Sequence, residues 1–131
     1  MEESAPGAGL ELLASPYLFA VAKIADPSEI DWSVPGTFVS STRGELSVVC
    51  QEKALPASAR PVSYGWKMIR VAGKMPFDAV GVMSLLSGAL AREGIPLLAF
   101  SSYDTDFLFV KTSSYSRALE ALEKAGCRVR R

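Results

Sequence analysis

The sequence contains no histidine, and only two of its 131 residues are cysteines. Histidine is the usual acid–base group near neutral pH and the commonest metal ligand in proteins. Its absence excludes a Ser-His-Asp or Cys-His arrangement within this chain, and two separated cysteines do not provide a zinc site. The sequence therefore predicts no metal site and no cofactor, and it disfavours an enzyme.

The sequence also has no excess of positive or negative charge and no long apolar run. Fourteen basic and fourteen acidic side chains cancel, so no large field attracts nucleic acid or an anionic membrane. No apolar run approaches the roughly 20 residues of a membrane helix. The first nine residues, MEESAPGAG, lack the basic start of a secretory signal. We therefore expect a cytoplasmic protein with neither nucleic-acid nor membrane partners.

Apolar residues make up about half of the chain, which is enough for one compact domain or for two small ones sharing a core. Small and polar residues predict a disordered tail at positions 1–9. We divide the remainder into a first unit, residues 10–63, and a second, residues 64–131. Cys50 and Cys127 lie in strand-like segments and are typical of buried thiols, although a disulfide between them stays open.

The second unit follows a clear order of elements. Strands are predicted at 65–73, 96–102, 106–112 and 127–130, and helices at 78–94 and 113–126. Asp78 and Gly94 mark the ends of the first helix. Apolar residues form one stripe on each helix: Val80, Met83, Leu86 and Leu90 on the first, and Ala118, Leu119, Leu122 and Ala125 on the second. This α+β order is the ferredoxin-like βαββαβ arrangement, an antiparallel sheet with two helices on one face.

The first unit has strands in similar places but no long helix between its first two. Strands are predicted at Tyr17–Ile24, Thr37–Ser41 and Glu45–Gln51, and residues 10–15 form either a strand or a helical turn. The loop Asp26–Gly36 replaces the helical crossover, and we expect its Trp32 to cover the sheet edge. We interpret the first unit as an abbreviated relative of the second.

Two stretches of the second unit are similar to a known family. Asp78 is followed three residues later by Gly81 at the start of the first helix, and the run from Gly94 to Val110 reads GIPLLAFSSYDTDFLFV. These residues resemble the ACT domain family, in particular the regulatory domains of aspartokinases and the CASTOR arginine sensors. Val80 stands where the family commonly has proline before the glycine. The segments Glu45–Cys50 and Gly65–Lys67 resemble the companion half of small bacterial tandem-ACT proteins. The resemblance covers about residues 15 to 130 and is strongest after Trp66.

The resemblance implies a non-catalytic regulatory protein that binds an amino acid at an interface between two ACT units. It also implies a homodimer. Since we identify no output domain in this chain, we expect either a separate regulated protein or a role as a reservoir or an adaptor. The expected ligand-binding residues are Phe77, Asp78, Val80, Gly81 and Val82 in the loop before the first helix, and Ser101, Ser102, Asp104, Thr105 and Asp106 after the following strand.

The chemistry of these residues suits an amino acid. Backbone N–H groups at a helix N-terminus favour a carboxylate, and a glycine at position 81 permits close approach. Asp104 and Asp106 can accept hydrogen bonds from an ammonium group. A purely structural interpretation stays open, because Asp78 can cap its own helix and Asp104 and Thr105 can form a tight hairpin turn.

Three other functions are less well supported by the sequence. Asp104 and Asp106 lie on one face of a strand, but no nucleophile–base couple or phosphate loop accompanies them as an enzyme requires. Aromatic residues of the sheet lack the basic neighbours of an RNA-binding surface. The main alternative to ligand binding is a protein–protein interaction module that dimerises without a ligand.

Overall fold

The computed structural model describes residues 9–72 and 81–131. By packing, these residues form two compact units. We call residues 9–16, 67–72 and 81–131 the helical unit, and residues 17–66 the strand unit. The predicted disordered tail falls, apart from Gly9, outside the described residues. Residues 9–16 thus pack with the second half of the chain, whereas the sequence division grouped them, from residue 10, with the first.

Eight strands and two helices make up the regular structure of the described residues. They are β1 (Glu11–Ala14), β2 (Phe19–Lys23), β3 (Phe38–Thr42), β4 (Glu45–Gln51), β5 (Val62–Val71), α1 (Val82–Arg92), β6 (Leu98–Ser101), β7 (Asp106–Lys111), α2 (Tyr115–Lys124) and β8 (Arg128–Arg130). Strand β5 contributes its first half to the strand unit and its second half to the helical unit. Every element predicted for residues 64–131 is present.

The sheet of the helical unit has the strand order β8-β1-β5-β7-β6. Without β1, the remaining strands and the two helices follow the order βαββαβ, which confirms the ferredoxin-like arrangement. Strand β1 is an addition to it: β1 pairs antiparallel with β5 and parallel with β8. A salt bridge of 2.6 Å between Arg130 and Glu11 joins the same two neighbouring strands, β8 and β1.

One hydrophobic core fills the space between this sheet and both helices. Leu12 from β1 and Ile69 from β5 meet Leu86 and Leu90 of α1 and Leu122 of α2, and all five side chains are buried. The described apolar residues predicted to be buried on the two helices therefore face this core. Residue Met83, predicted on the same stripe of α1, is half-buried at its border.

Helix α1 begins later than the sequence predicted. Its first residue is Val82, and Gly81 occupies the N-cap position with a left-handed φ of 82°. Asp78, the predicted cap, lies outside the described residues. The C-terminal end agrees better: the helix ends at Arg92, and Gly94 follows with a positive φ of 68°.

The strand unit has the order β3-β4-β2-β5. This is the order of the helical unit without β1, with single turns of 3-10 helix at Pro27–Glu29 and Glu52–Ala54 in place of α-helices. Its apolar cluster is smaller and centres on Ala22, Val48 and Cys50. The fold is thus an α+β ACT-like arrangement with an abbreviated companion, as expected, and the exact boundary at residue 63 stays a prediction.

Two further expectations concern individual residues. Trp32 does not cover a sheet edge: its side chain is 67% exposed. On either side of it, the backbone N–H and the hydroxyl of Ser33 both donate to Asp31 Oδ1. Cys50 and Cys127 are buried as predicted, and both thiols are free. Among the described residues, no helix is long and apolar enough to span a bilayer.

Candidate functional site

The first half of the candidate site is the start of α1. Gly81 is exposed, and apart from its chain neighbours no heavy atom of the described residues lies within 4 Å of where its Cβ would be. The first N–H groups of a helix have no partner within the helix, and they carry the positive end of its dipole. A glycine cap has no side chain with which to occupy them. This end of α1 can therefore receive a carboxylate.

Val82 follows Gly81 as the first residue of α1 and is half-buried. Its side chain packs against the core of the helical unit, which fixes the direction of the first turn. Of the five expected residues in this loop, Gly81 and Val82 are thus located by the structure. Phe77, Asp78 and Val80 lie outside the described residues, and their roles stay predictions.

The second half of the candidate site is the turn between β6 and β7. Ser102 and Thr105 close the turn, since Ser102 N donates to Thr105 O at 2.8 Å and Thr105 N donates to Ser102 Oγ at 3.3 Å. Asp104 is exposed at its tip beside Tyr103. The hairpin interpretation of these residues is therefore correct in geometry, and it leaves the Asp104 carboxylate directed to solvent.

Ser101 and Asp106 face each other as cross-strand partners at the base of this turn. The Ser101 hydroxyl donates to Asp106 Oδ1 at 2.6 Å. A carboxylate has several acceptor positions, so one donated hydrogen bond leaves Asp106 able to accept others. Asp106 is half-buried, which makes its charge less screened than that of the exposed Asp104.

Thr105 connects the turn to the strand that precedes α1. Its side chain is 7% exposed, and its hydroxyl donates to the carbonyl of Val71 at 3.0 Å. Val71 is the last residue of β5. The structure thus anchors the β6–β7 turn at the point where the chain leaves β5. Sequence reasoning missed this role, because a threonine within a run of polar turn residues carries no signal of burial.

The described part of the site offers both donors and acceptors of hydrogen bonds. The helix start, whose cap residue Gly81 has no side chain, offers N–H donors, and the carboxylates of Asp104 and Asp106 offer acceptors. Residues 9–72 and 81–131 contain no group of three or more His, Cys, Asp or Glu side chains placed to hold a metal ion. Both halves of the site belong to the helical unit.

Comparison with known families supports the resemblance noted in the sequence. Residues 62–124 match the sequence model of the ACT domain family. This segment covers β5 to α2, including both halves of the candidate site. Residues 62–124 therefore form an ACT domain, a member of a class of small regulatory modules. A comparison with the curated proteins finds no match.

Solved structures with the same fold extend the similarity to nearly the whole chain. Protein Atu0741 from Agobacterium tumefaciens is 25% identical, with 92% of each chain covered and a TM-score of 0.82. VC0802 from Vibrio cholerae, described as a possible transport protein, is 18% identical over 89% of this chain and 90% of its own, with a TM-score of 0.69.

A third similar structure is an enzyme. Aspartate kinase from Clostridium acetobutylicum, described as an allosteric enzyme, is 15% identical with a TM-score of 0.67. The match covers 95% of this chain but only 36% of the kinase chain. The present chain thus has the fold of about one third of that enzyme.

Proposed function

We propose that this protein is a non-catalytic regulatory protein that binds an amino acid through its ACT domain. The observation that carries the proposal is the match of residues 62–124 to that family. A helix start whose cap residue, Gly81, has no side chain and an acidic turn in the same domain support it. The similarity to an allosteric aspartate kinase supports a regulatory role over a structural one.

The two halves of the site take opposite ends of the ligand. The α-carboxylate accepts from the N–H groups of the first turn of α1, beside Gly81. The α-ammonium donates to Asp106, and Asp104 adds a second acceptor from the tip of the turn. Thr105 keeps the turn in place through its bond to Val71. Phe77, Asp78 and Val80 lie outside the described residues and stay expected ligand-binding residues of the loop before α1.

Regulation requires that the ligand favour one arrangement of the protein over another. In our proposal the ligand lies between two ACT units of a homodimer, so that its binding stabilises one arrangement of the pair. The ligand shifts the population only by its difference in affinity for the two arrangements. The state of the dimer then acts on a separate protein.

The first experiment is a thermal-shift screen of the purified protein against the twenty amino acids. A ligand present at about 100 times its Kd adds about 2.7 kcal/mol to the free energy of unfolding, which raises Tm by several degrees. We expect one stereospecific hit, followed by titration calorimetry to measure its Kd. A panel without any shift contradicts the proposal.

A pair of glycine variants locates the ligand. Gly81→Val places a branched side chain at the approach to the helix start, and we expect ligand binding to be lost. Gly94→Val is the matched control, because Gly94 is also exposed, has a positive φ and has no heavy atom of other described residues near its Cβ position. Both variants carry a similar backbone strain, so a loss of binding in Gly81→Val alone locates the ligand at the helix start. Binding retained by Gly81→Val means that the ligand lies elsewhere.

The alternative function is a protein–protein interaction module that dimerises without a ligand. It predicts a dimer whose sedimentation is independent of amino acids. It also predicts that Asp106→Asn changes stability through the Ser101 pair and changes no affinity. The ligand-binding proposal predicts the reverse for Asp106→Asn: affinity falls about tenfold, as for the loss of one charged hydrogen bond.

A further inference from the structure

A cleft in the helical unit, separate in sequence from the candidate amino-acid site, is lined by groups suited to a ligand. It has a volume of about 670 Å3, within the range of small-molecule pockets. The end of β1, the middle of β5, the start of α2 and residue 131 form its walls. None of its lining residues belongs to the loop before α1 or to the β6–β7 turn.

Lys67 from β5 provides a positive charge in this cleft. Its Nζ donates to the carbonyl of Pro16 at 3.1 Å and lies 5.0 Å from the centre of the Tyr115 ring. Both of these contacts are to uncharged groups, and an ammonium group has three donors. The two contacts hold the ammonium in a defined position while leaving its charge available to an anion.

A second cation, Arg131, lines the same cleft. Its Nη2 bonds to Glu123 Oε1 at 3.1 Å, and the planar guanidinium has further donors beyond that one. Burial raises the pKa of the Tyr115 hydroxyl above its ordinary value of 10.0, and the charge of Arg131 opposes this by a smaller amount. Tyr115 therefore stays neutral at physiological pH and offers an aromatic face with a polar edge.

The other walls are mainly apolar. Leu119 of α2 is buried beneath the cleft, and Ala14 and Pro16 form the wall on the side of β1. A single acidic side chain, Glu120, lies at the border and is exposed. A ligand that fits these walls combines an anionic group with an apolar body.

We propose that this cleft binds a small carboxylate with an apolar body, its carboxylate paired with Lys67 and Arg131. The body of the ligand packs on Leu119 and on the ring of Tyr115. Two kinds of ligand share this chemistry: a simple apolar acid and an apolar amino acid. The ammonium group of the amino acid would donate a hydrogen bond to the carboxylate of Glu120. The site is independent of the Gly81 site and does not rest on the function proposed above.

The experiment is a titration followed by amide 1H–15N chemical shifts, with two probes that share a phenylpropyl body and end in a carboxylate or in an uncharged hydroxyl. These probes are 3-phenylpropionate and 3-phenylpropanol. We expect the acid to shift the amides of Lys67, Tyr115 and Leu119 and to bind about tenfold more tightly than the alcohol, as for one charge-assisted hydrogen bond. Equal affinity for the two probes, or shifts confined to other residues, overturns the proposal.

Four variants test the named groups. Lys67→Met keeps the length of the side chain and is expected to weaken binding of the acid about tenfold. Lys67→Arg restores the charge and recovers most of the affinity. Lys124→Met is the control: Lys124 lies on α2 but does not line the cleft, so this variant leaves the affinity unchanged. If Lys67→Met does not fold, Arg131→Gln carries the comparison, and unchanged affinity in that variant overturns the proposal.

A third probe, phenylalanine, distinguishes the two sources. Tighter binding of phenylalanine than of 3-phenylpropionate, with the gain lost in Glu120→Gln, supports an amino acid as the occupant. Weaker binding of phenylalanine supports a simple acid. Retention of 3-phenylpropionate binding by Gly81→Val shows that the two sites are distinct, and its loss in that variant overturns the separate site.

Discussion

Among single residues, Thr105 has the clearest energetic role, because its buried hydroxyl donates to the carbonyl of Val71. Its neighbours Tyr103 and Asp104 are exposed and make the turn appear wholly polar in the sequence. This one hydrogen bond thus contributes to the stability of the sheet and also holds the β6–β7 turn of the candidate site in position.

Replacing Thr105 tests this role. Thr105→Val keeps the shape of the side chain but removes the donor, so the buried carbonyl of Val71 loses this partner. We expect the free energy of unfolding to fall by roughly 1–3 kcal/mol, measured by urea denaturation. Thr105→Ser is the control, since it retains the hydroxyl and loses only a methyl group, at about 0.8 kcal/mol. If Thr105→Val is as stable as the wild-type protein, the hydrogen bond from Thr105 to Val71 does not stabilise the fold.

The two thiols give a dependence of stability on pH. Burial raises the pKa of Cys50 and of Cys127 above the ordinary value of 9.0. Below that value both states of the protein carry neutral thiols, and the contribution to stability is complete. As the pH rises above it, the unfolded chain ionises first, so the free energy of unfolding falls until the folded thiols ionise as well.

We therefore expect the protein to lose stability between about pH 8 and about pH 10, in part through these thiols. Urea denaturation of the wild-type protein and of a Cys50→Ala, Cys127→Ala variant measures the effect. The variant loses less stability over the same range, because its remaining titrating groups are those of the wild type. A parallel loss in both proteins contradicts the assignment to the thiols.

At the scale of elements, β1 shows where sequence reasoning reaches its limit. The pattern of residues 10–15 was compatible with a strand or a helical turn, and the nearest strand in sequence is β2. In the structure β1 lies between β5 and β8. Apolar alternation predicts that a segment is a strand, but the choice of pairing partner depends on contacts with distant segments.

A leucine pair on β1 tests its importance. Leu12 is fully buried in the core of the helical unit, whereas its neighbour Leu13 is half-buried. We expect Leu12→Ala to lower the free energy of unfolding by about 2–5 kcal/mol, because it leaves a cavity. Leu13→Ala is the matched control on the same strand and costs less. Similar costs for both variants contradict an inner position for β1.

The candidate site was predictable in its residue types and only partly in its geometry. The hairpin turn at Asp104 and Thr105 follows from local chemistry, and the structure has it. The start of α1 does not, because Asp78 and Gly81 are both acceptable cap residues and local sequence does not choose between them. The anchor from Thr105 to Val71 joins residues distant in sequence, so no local pattern contains it.

At the scale of the whole molecule, the two units have unequal means of stabilisation. Within the described residues, the apolar cluster of the helical unit contains fourteen buried residues and that of the strand unit five. The strand unit also lacks α-helices among its described residues 17–66. Since buried apolar area is the main favourable term in folding, the strand unit is expected to open first.

Each unit contains one buried cysteine, which allows its opening to be observed separately. Cys127→Ala leaves Cys50 as the reporter of the strand unit, and Cys50→Ala leaves Cys127 as the reporter of the helical unit. We expect Cys50 to react with a thiol reagent at a lower urea concentration than Cys127. Reaction of both thiols at one urea concentration means that the units open together and contradicts this expectation.

The position of β1 also has a consequence for the order in which the protein is made. The strand unit is contiguous in the chain, and all of its strands have been synthesised once residue 66 has left the ribosome. The helical unit is complete only after β8 has been synthesised, because β1, near the start of the described residues, pairs with β8 near their end. Throughout that interval the apolar side chain of Leu12 has no core to join. During synthesis β1 therefore stays unpaired longer than any other strand and is exposed to incorrect pairing for longer. A chaperone that binds nascent chains would be expected to bind this segment.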